Sequence, residues 1–267
     1  MRKLRIFTVI VFLLAVVGYG VYSFNERVIK DNDAPVISSE ADIVEYSVNG
    51  DEAALMEGLT AYDRHDGDIT DRIMVESISQ LVNKNIAKIT YVVFDSSNNV
   101  GRYTRSIRYT DYELPKFSLN GPLIFAKGAD ISIFDKLSAY DVVDGDISDS
   151  IRVTSQNVDN LIDGEYTITV QVTNSMGDTS AIPLTVTINS ESVRKQLIEL
   201  NEYLVYIEKD SSFNPWNYVK RVTTSNGSVK GITVAEMDSN VDTSEEGVYE
   251  VRYSYSNYTA ILTVVVQ

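Results

Sequence analysis

Ala61-Tyr62-Asp63-Arg64-His65-Asp66-Gly67-Asp68-Ile69-Thr70-Asp71-Arg72-Ile73 returns 78 residues later as Ala139-Tyr140-Asp141-Val142-Val143-Asp144-Gly145-Asp146-Ile147-Ser148-Asp149-Ser150-Ile151. Nine of the thirteen positions are identical and Thr70/Ser148 exchanges one hydroxyl for another, a self-match that marks a duplicated structural unit. The period sets the size of the unit. The residues on either side of the block then set its fold class.

Around the first copy, Ile89–Phe94 (ITYVVF) and Arg102–Tyr109 (RYTRSIRY) alternate or run in β-branched and aromatic residues. Such runs of four to eight residues, bounded by Gly, Asn and Asp, read as strands. Asp95-Ser96-Ser97-Asn98-Asn99 between them reads as a hairpin loop. Ala34-Pro35-Val36-Ile37 opens this unit with Pro at a strand start, where its missing N–H is tolerated. The second unit opens the same way at Glu113-Leu114-Pro115-Lys116-Phe117. It continues through Tyr166–Val172, a turn at Asn174-Ser175-Met176-Gly177, and Pro183–Ile188.

Residues 190–267 lack the Asp-rich block, yet a second match ties them to the array. Val158-Asp159 through Gly164-Glu165-Tyr166 and Val241-Asp242 through Gly247-Val248-Tyr249 share Val-Asp, an acid before Gly, and Gly-x-Tyr at one spacing. Val193–Tyr206 is ambiguous between helix and strand and is assigned mainly to strand. Three such units with short strands and frequent turns predict an all-β chain of three tandem antiparallel β-sandwiches. The expected boundaries are 34–112, 113–189 and 190–267.

Composition narrows the setting. The chain has 267 residues, 44% of them hydrophobic, enough for packed cores. Setting aside five basic residues and one acid before Asp31 leaves 18 basic against 37 acidic, net −19. That balance argues against nucleic acid or anionic lipid as a partner of the folded part. With no cysteine, disulfides, zinc–thiolate sites and thiol nucleophiles are ruled out, and one histidine rules out a two-histidine metal site.

Ile6–Phe24 is a run of nineteen uncharged residues after a basic Met1–Arg5. About 20 apolar residues span a bilayer, and the basic flank keeps the N-terminus in the cytoplasm. The expectation is a cytoplasmic tail at 1–5, a transmembrane signal anchor at 6–24, a polar stalk at 25–33 and extracellular domains beyond. The alternative is a cleaved signal peptide and a secreted protein.

The pattern Leu59–Asp63, Asp66-Gly67-Asp68-Ile69-Thr70, Ile89–Asp95 and Asn98–Gly101 resembles bacterial immunoglobulin-like repeats of Gram-positive surface proteins, including the Ig-like domain named after a pesticidal crystal protein. The second unit resembles the same repeat through Leu137–Ile151 and Asp163–Gly177. The third is similar to related bacterial Ig-like repeats through Phe213–Val219, Val241–Tyr253 and Ala260–Val266. The resemblance implies an immunoglobulin-like fold over about 34–267 and leaves function open, because one fold serves many sites. Two departures stand out: Asn83-Lys84-Asn85 replaces the acid-Gly-x-Tyr turn in the first unit, and the third lacks Asp-Gly-Asp.

The block offers the one chemical site. Asp-Gly supplies a turn in which Gly67 and Gly145 take positive φ. In an immunoglobulin-like sandwich, Asp63, Asp66 and Asp68, or Asp141, Asp144 and Asp146, then crowd one pole. The loop 95–99 and the leading residues 31–33 lie at the same pole of the first unit, and 111–113 at that of the second. Two readings stand. The leading one is that the acids cap turns through side-chain bonds to nearby N–H groups. The other is that they hold Ca²⁺, a hard cation wanting 6–8 oxygens; no other cofactor is required. His65 reads as a solvent-facing loop histidine. Trp216 is the candidate glycan contact, and its exposure discriminates a reader of sugars from a spacer. The functional expectation is a non-enzymatic, membrane-anchored adhesion, spacer or scaffold array, with a protein or glycan partner. The alternative is a glycan- or cell-wall-binding module with 190–267 as the reader.

Overall fold

The computed structural model describes residues 2–29, 31–83 and 85–267. Met1 of the expected tail, Lys30 of the expected stalk and Lys84 of the departing turn lie outside the described residues. The chain is mostly β-sheet and divides into two compact units, Met1–Asp111 and Tyr112–Gln267.

In the first unit a helix covers Arg2–Ile29. It runs five residues past the apolar segment, into the expected stalk, because Asn25-Glu26-Arg27-Val28-Ile29 contains no helix breaker. Within it Phe7–Phe24 is the one described stretch long and apolar enough to cross a membrane, with mean hydropathy 2.1 and none of it buried. The sheets follow. Val36–Ser39, Leu59–Asp63 and Gly67–Asp68 form a three-stranded sheet. Ile43–Tyr46, Val100–Tyr109, Ile86–Phe94 and Met74–Ile78, in that order, form a four-stranded one. Ile43–Tyr46 pairs parallel to Val100–Tyr109; the other pairings are antiparallel.

Period-two geometry decides which residues turn inward. Along Leu59–Asp63 burial alternates, so Leu59, Ala61 and Asp63 share the core side. The apolar row therefore ends in a buried aspartate. Ile89, Tyr91, Val93 and Ile107 are fully enclosed, each worth roughly 1.5–3 kcal/mol relative to exposure. Buried Arg105 is satisfied by Tyr91 Oη at 3.1 Å, Ser39 Oγ at 3.0 Å, and the carbonyls of Leu55 at 2.8 Å and Glu57 at 3.0 Å, as a buried cation must be. Gly101 has a packing reason: a Cβ there would lie 2.1 Å from the Pro35 carbonyl oxygen. Its absence lets the leading segment lie against the hairpin that carries Asp95–Asn99.

The second unit repeats this arrangement twice. Lys116–Leu119, Leu137–Asp141 and Gly145–Asp146 form a three-stranded sheet, beside a four-stranded sheet built on the Gly164–Thr173 and Thr179–Ile188 hairpin. Leu137, Ala139 and Asp141 again share the inward side. Then Ile198–Leu200, Val219–Thr223 and Val229–Lys230 form a sheet, beside one built on Gly247–Tyr255 and Tyr258–Val266. The ambiguous stretch resolves into a short helix, Ser190–Arg194, followed by strands Ile198–Leu200 and Leu204–Ile207. The helix starts because Asn189 Oδ1 accepts from the N–H groups of Glu191 and Ser192.

One hydrophobic cluster runs from Phe117 to Val264 through both sheet pairs of this unit. Polar links reinforce it: the Phe117 N–H donates to Tyr206 Oη at 2.8 Å, and Arg252 pairs with Glu165 at 2.6 Å.

Candidate functional site

Both Asp-Gly-Asp loops are built by one local recipe. Gly67 and Gly145 have φ of +76° and +73°, the left-handed conformation the sequence demands. Asp63 Oδ1 accepts from the N–H groups of His65 at 2.7 Å and Asp66 at 2.9 Å; Asp141 Oδ1 does the same with Val143 at 2.9 Å and Asp144 at 3.1 Å. Asp68 Oδ1 takes the Thr70 hydroxyl at 2.6 Å, and Asp146 Oδ1 takes that of Ser148 at 2.5 Å.

Asp66 and Asp144 each clamp the neighbouring hairpin. Asp66 accepts from Ser96 N–H and Oγ at 2.7 and 2.6 Å, and Asp144 from Ser175 N–H and Oγ, both at 2.6 Å. Arg72 adds an ion pair to Asp66 at 3.0 Å. These bonds set the acidities. The backbone N–H of Asp66 is the main influence holding Asp63 below the usual carboxylate range, against the opposing effect of burial. The Ser96 hydroxyl lowers Asp66, Thr70 lowers Asp68 and Ser148 lowers Asp146. A carboxylate that accepts several hydrogen bonds favours its ionised form.

The loops differ at the second oxygen of the inward aspartate. Asp141 Oδ2 accepts from Asn174 Nδ2 at 3.0 Å. That amide also reaches Tyr112 Oη at 2.8 Å, and Tyr112 Oη donates to Asp178 Oδ2 at 2.6 Å. Burial and the Asp178 bond push the Tyr112 phenol upward. Asp63 Oδ2 is buried without a hydrogen-bond partner, and so is Asp31 Oδ2. Asp63 and Asp31 are only 1% and 7% exposed. His65 Nδ1 lies 3.1 Å from Asp31 Oδ1. One ligand atom each from Asp31, Asp63 and His65 falls within 4.8 Å of the others.

The geometry thus engages Asp66, Asp68, Asp144 and Asp146 in turn and hairpin bonds and gathers Asp63 with two other residues. Sequence reasoning put residues 31–33 at this pole without assigning Asp31 to the site, and it left His65 facing solvent. The signal for the difference between the loops was present as an exchange: Asp95 and Asn99 stand where Asn174 and Asp178 stand in the second copy.

Elsewhere, Trp216 is half-buried, its ring 6.0 Å from that of fully enclosed Tyr253, and Phe213 stacks on Tyr218 at 5.6 Å. A cleft of about 750 Å³ lies in the second unit, lined by Asn120, Lys136, Asn201, Glu202 and Lys220 among others. Its Glu199 is paired with Lys220 at 2.6 Å and Arg221 at 2.7 Å and held below the usual range, chiefly by Lys220.

No family model matches the chain. It is 30% identical over 213 residues to the pesticidal crystal protein Cry22Aa of Bacillus thuringiensis, covering 74% of this chain and 27% of that protein. It is 28% identical over 156 residues to an uncharacterized 81.3 kDa protein of Acholeplasma phage L2, covering 57% of this chain and 20% of that one. The match to each relative thus spans about a quarter of its length or less. Among solved structures, that of CBM51-2 in complex with GlcNAc and INT domains from Clostridium perfringens ZmpB superposes at TM-score 0.24 and 19% identity, over 55% of this chain and 26% of that one.

Proposed function

We propose that the chain is a membrane-anchored, non-catalytic cell-surface protein whose three immunoglobulin-like sandwiches, 34–112, 113–189 and 190–267, serve adhesion, spacing or scaffolding. The observation that carries this reading is the Phe7–Phe24 helix segment. It is uncharged, has a mean hydropathy of 2.1 and is unburied, and beyond it come β-sheets whose inward rows are closed by packing. An uncovered apolar helix of that length is stable in a bilayer, which its 18 residues nearly span. The basic flank then puts the β-rich part on the outer face. The sequence relation to Cry22Aa supports assigning the first two sandwiches to the pesticidal-crystal-protein type of bacterial Ig-like repeat and the third to a related bacterial Ig-like type.

Expression of the full chain in a Gram-positive host, followed by fractionation and protease shaving of intact cells, tests the assignment. The β-rich part should be membrane-bound and shaved from outside. Release of the whole chain into the medium, with a new N-terminus near Val21, would replace the anchor by a cleaved signal peptide.

The cleft gives the glycan-binding reading one specific support. Amide and charged side chains from Asn120, Asn201, Glu202 and Lys220 line a concavity of about 750 Å³, a volume in the range of small-molecule sites with groups able to hydrogen-bond sugar hydroxyls. The half-buried Trp216 contributes no flat platform to it. A glycan array probed with the full chain in detergent decides between the readings. Saturable binding abolished by Asn201→Ala establishes the reader, and a blank array leaves the spacer.

A further inference from the structure

Two carboxylates sit side by side at the pole of the first unit, each with a buried oxygen that no donor reaches. Burying an ionised oxygen without a partner is costly, and doing so twice in one place is more so, unless a cation compensates. The second copy shows what the fold does when no cation is wanted. There the equivalent oxygen, Asp141 Oδ2, is met by the Asn174 amide at 3.0 Å. Position 143 is Val where the first copy has His65. Asp111, which precedes Pro115 as Asp31 precedes Pro35, instead bonds Ser47 Oγ at 2.6 Å and the Val48 N–H at 2.8 Å. Donors at three places around the inward aspartate change together, while the turn-forming Asp63/Asp141 itself is kept.

We propose that Asp31, Asp63 and His65 bind a divalent metal ion of the zinc type. Two carboxylate oxygens and one imidazole nitrogen are a donor set Zn²⁺ accepts, with water completing four-coordination. Ligands held at about 2.0–2.2 Å from an ion lie within roughly 4.4 Å of one another; the three here already lie within 4.8 Å, so a side-chain adjustment closes the set. Calcium fits less well, because it seeks six to eight oxygens. The neighbouring acids are committed: Asp66 to Ser96 and Arg72, Asp68 to Thr70, and Asp95 to the Ser97 and Asn99 N–H groups and Asn99 Nδ2. The His65 side chain is 52% exposed and forms the mouth through which an ion enters.

The test is calorimetric titration of ZnCl₂ into the untagged full chain in detergent micelles, stripped with chelator, with CaCl₂ and MgCl₂ in parallel. The variants are His65→Ala, Asp63→Asn and, as control, Asp141→Asn. Asparagine keeps the oxygen that accepts the turn N–H groups, and His65→Ala leaves the backbone donor in place. The proposal expects one Zn²⁺ per chain, at least tenfold weaker in His65→Ala, lost in Asp63→Asn and unchanged in Asp141→Asn. Absence of saturable Zn²⁺ binding overturns it, as does binding that both first-copy variants retain. Calcium binding indifferent to His65→Ala also overturns it, since the site would then be oxygen-only. A second readout separates metal binding from a merely structural role. In chelator, Asp31→Asn should raise the melting midpoint by roughly 2–4 °C, because an amide relieves the facing carboxylate, while abolishing any Zn²⁺-induced rise. A lower midpoint in chelator would make Asp31 a structural residue and sink the proposal.

Discussion

The two Asp-Gly-Asp loops are nearly the same in sequence and identical in turn construction, yet one is electrostatically closed and the other is not. In the second loop every oxygen of Asp141 has a donor: backbone N–H groups on one side, the Asn174 amide on the other. In the first loop Asp63 keeps the backbone donors and ends in an orphan oxygen beside the orphan of Asp31. For the Asp63 oxygen, the difference lies in an exchange on the facing hairpin. Residues 95 and 174 both use one side-chain oxygen to accept the N–H four residues on, from Asn99 at 2.8 Å and Asp178 at 2.9 Å. The other terminal atom is an acceptor in Asp95 and a donor in Asn174. A duplicated fold can therefore hold its backbone constant while one side-chain atom turns a self-sufficient hydrogen-bond network into one with an unmet buried carboxylate oxygen.

The most severe way to break the contrast is to give the second loop the first loop's chemistry. Asn174→Asp removes the donor to Asp141 and sets a second carboxylate beside it. Leaving a buried charge uncompensated costs about 3–5 kcal/mol, so a loss of roughly 3 kcal/mol at pH 7 is expected in urea unfolding of the second unit. Like charge raises a carboxyl pKa in the folded state above its unfolded value. The penalty is therefore full at neutral pH and shrinks as pH falls through that raised value. A variant as stable at pH 7 as the parent would show that Asn174 is not what closes this loop.

A milder cut is Tyr112→Phe. Its hydroxyl donates to Asp178 Oδ2 and receives from Asn174 Nδ2. A hydrogen bond to a charged group is worth about 1.5–3 kcal/mol, so a loss near 1.5 kcal/mol is expected, confined to the second unit. Loss of stability in the first unit's transition instead would break the assignment.

Asp95→Asn runs the exchange in the opposite direction. It places an amide where Asn174 places one, giving Asp63 Oδ2 the donor it lacks. The first unit should gain about 1 kcal/mol in chelator and respond less to Zn²⁺. A net loss would mean that the Asp95–Asn99 side-chain bond at 2.7 Å outweighs relief of the orphan.

How much of this was legible beforehand follows from the range of each interaction. The turn chemistry was readable because it is local: Asp-Gly fixes φ at Gly67 and Gly145, and Asp68-Ile69-Thr70 or Asp146-Ile147-Ser148 places a hydroxyl two residues from a carboxylate. The strands around Tyr91 and Val170 were readable from their alternation, and their hairpins extend the runs by only a few residues. The longer reach of the Arg2–Ile29 helix was not readable, because hydropathy marks a span and propensity carries a helix past it. Nor was the orphan pair. Asp31 and Asp63 are 32 residues apart, and nothing local says that the Gly101–Pro35 approach presses them together or that Asp66 is already taken by Ser96. The exchange of Asp95/Asn99 for Asn174/Asp178 lay in plain view. It becomes meaningful only once the strand register shows which atom of each side chain faces the buried aspartate.

The smallest prediction sharpens the comparison by testing what the loops share. Thr70 and Ser148 each donate a hydroxyl to an exposed aspartate and hold it below the ordinary value of 3.8. A carboxylate whose folded pKa is depressed adds stability that is present above its unfolded pKa and is lost as pH falls through the folded one. Thr70→Ala and Ser148→Ala should therefore each raise the aspartate's pKa toward 3.8, by matching amounts, as read from the carboxyl ¹³C shift during acid titration. Each also removes the acceptor of a strand N–H, that of Ala61 or Ala139 at 3.0 Å, so neutral-pH stability should fall by similar amounts in the two units. Equal shifts would locate the whole difference between the loops at the buried oxygen. A larger shift at Asp68 would mean that the cluster around Asp63 reaches further along the loop than its hydrogen bonds do.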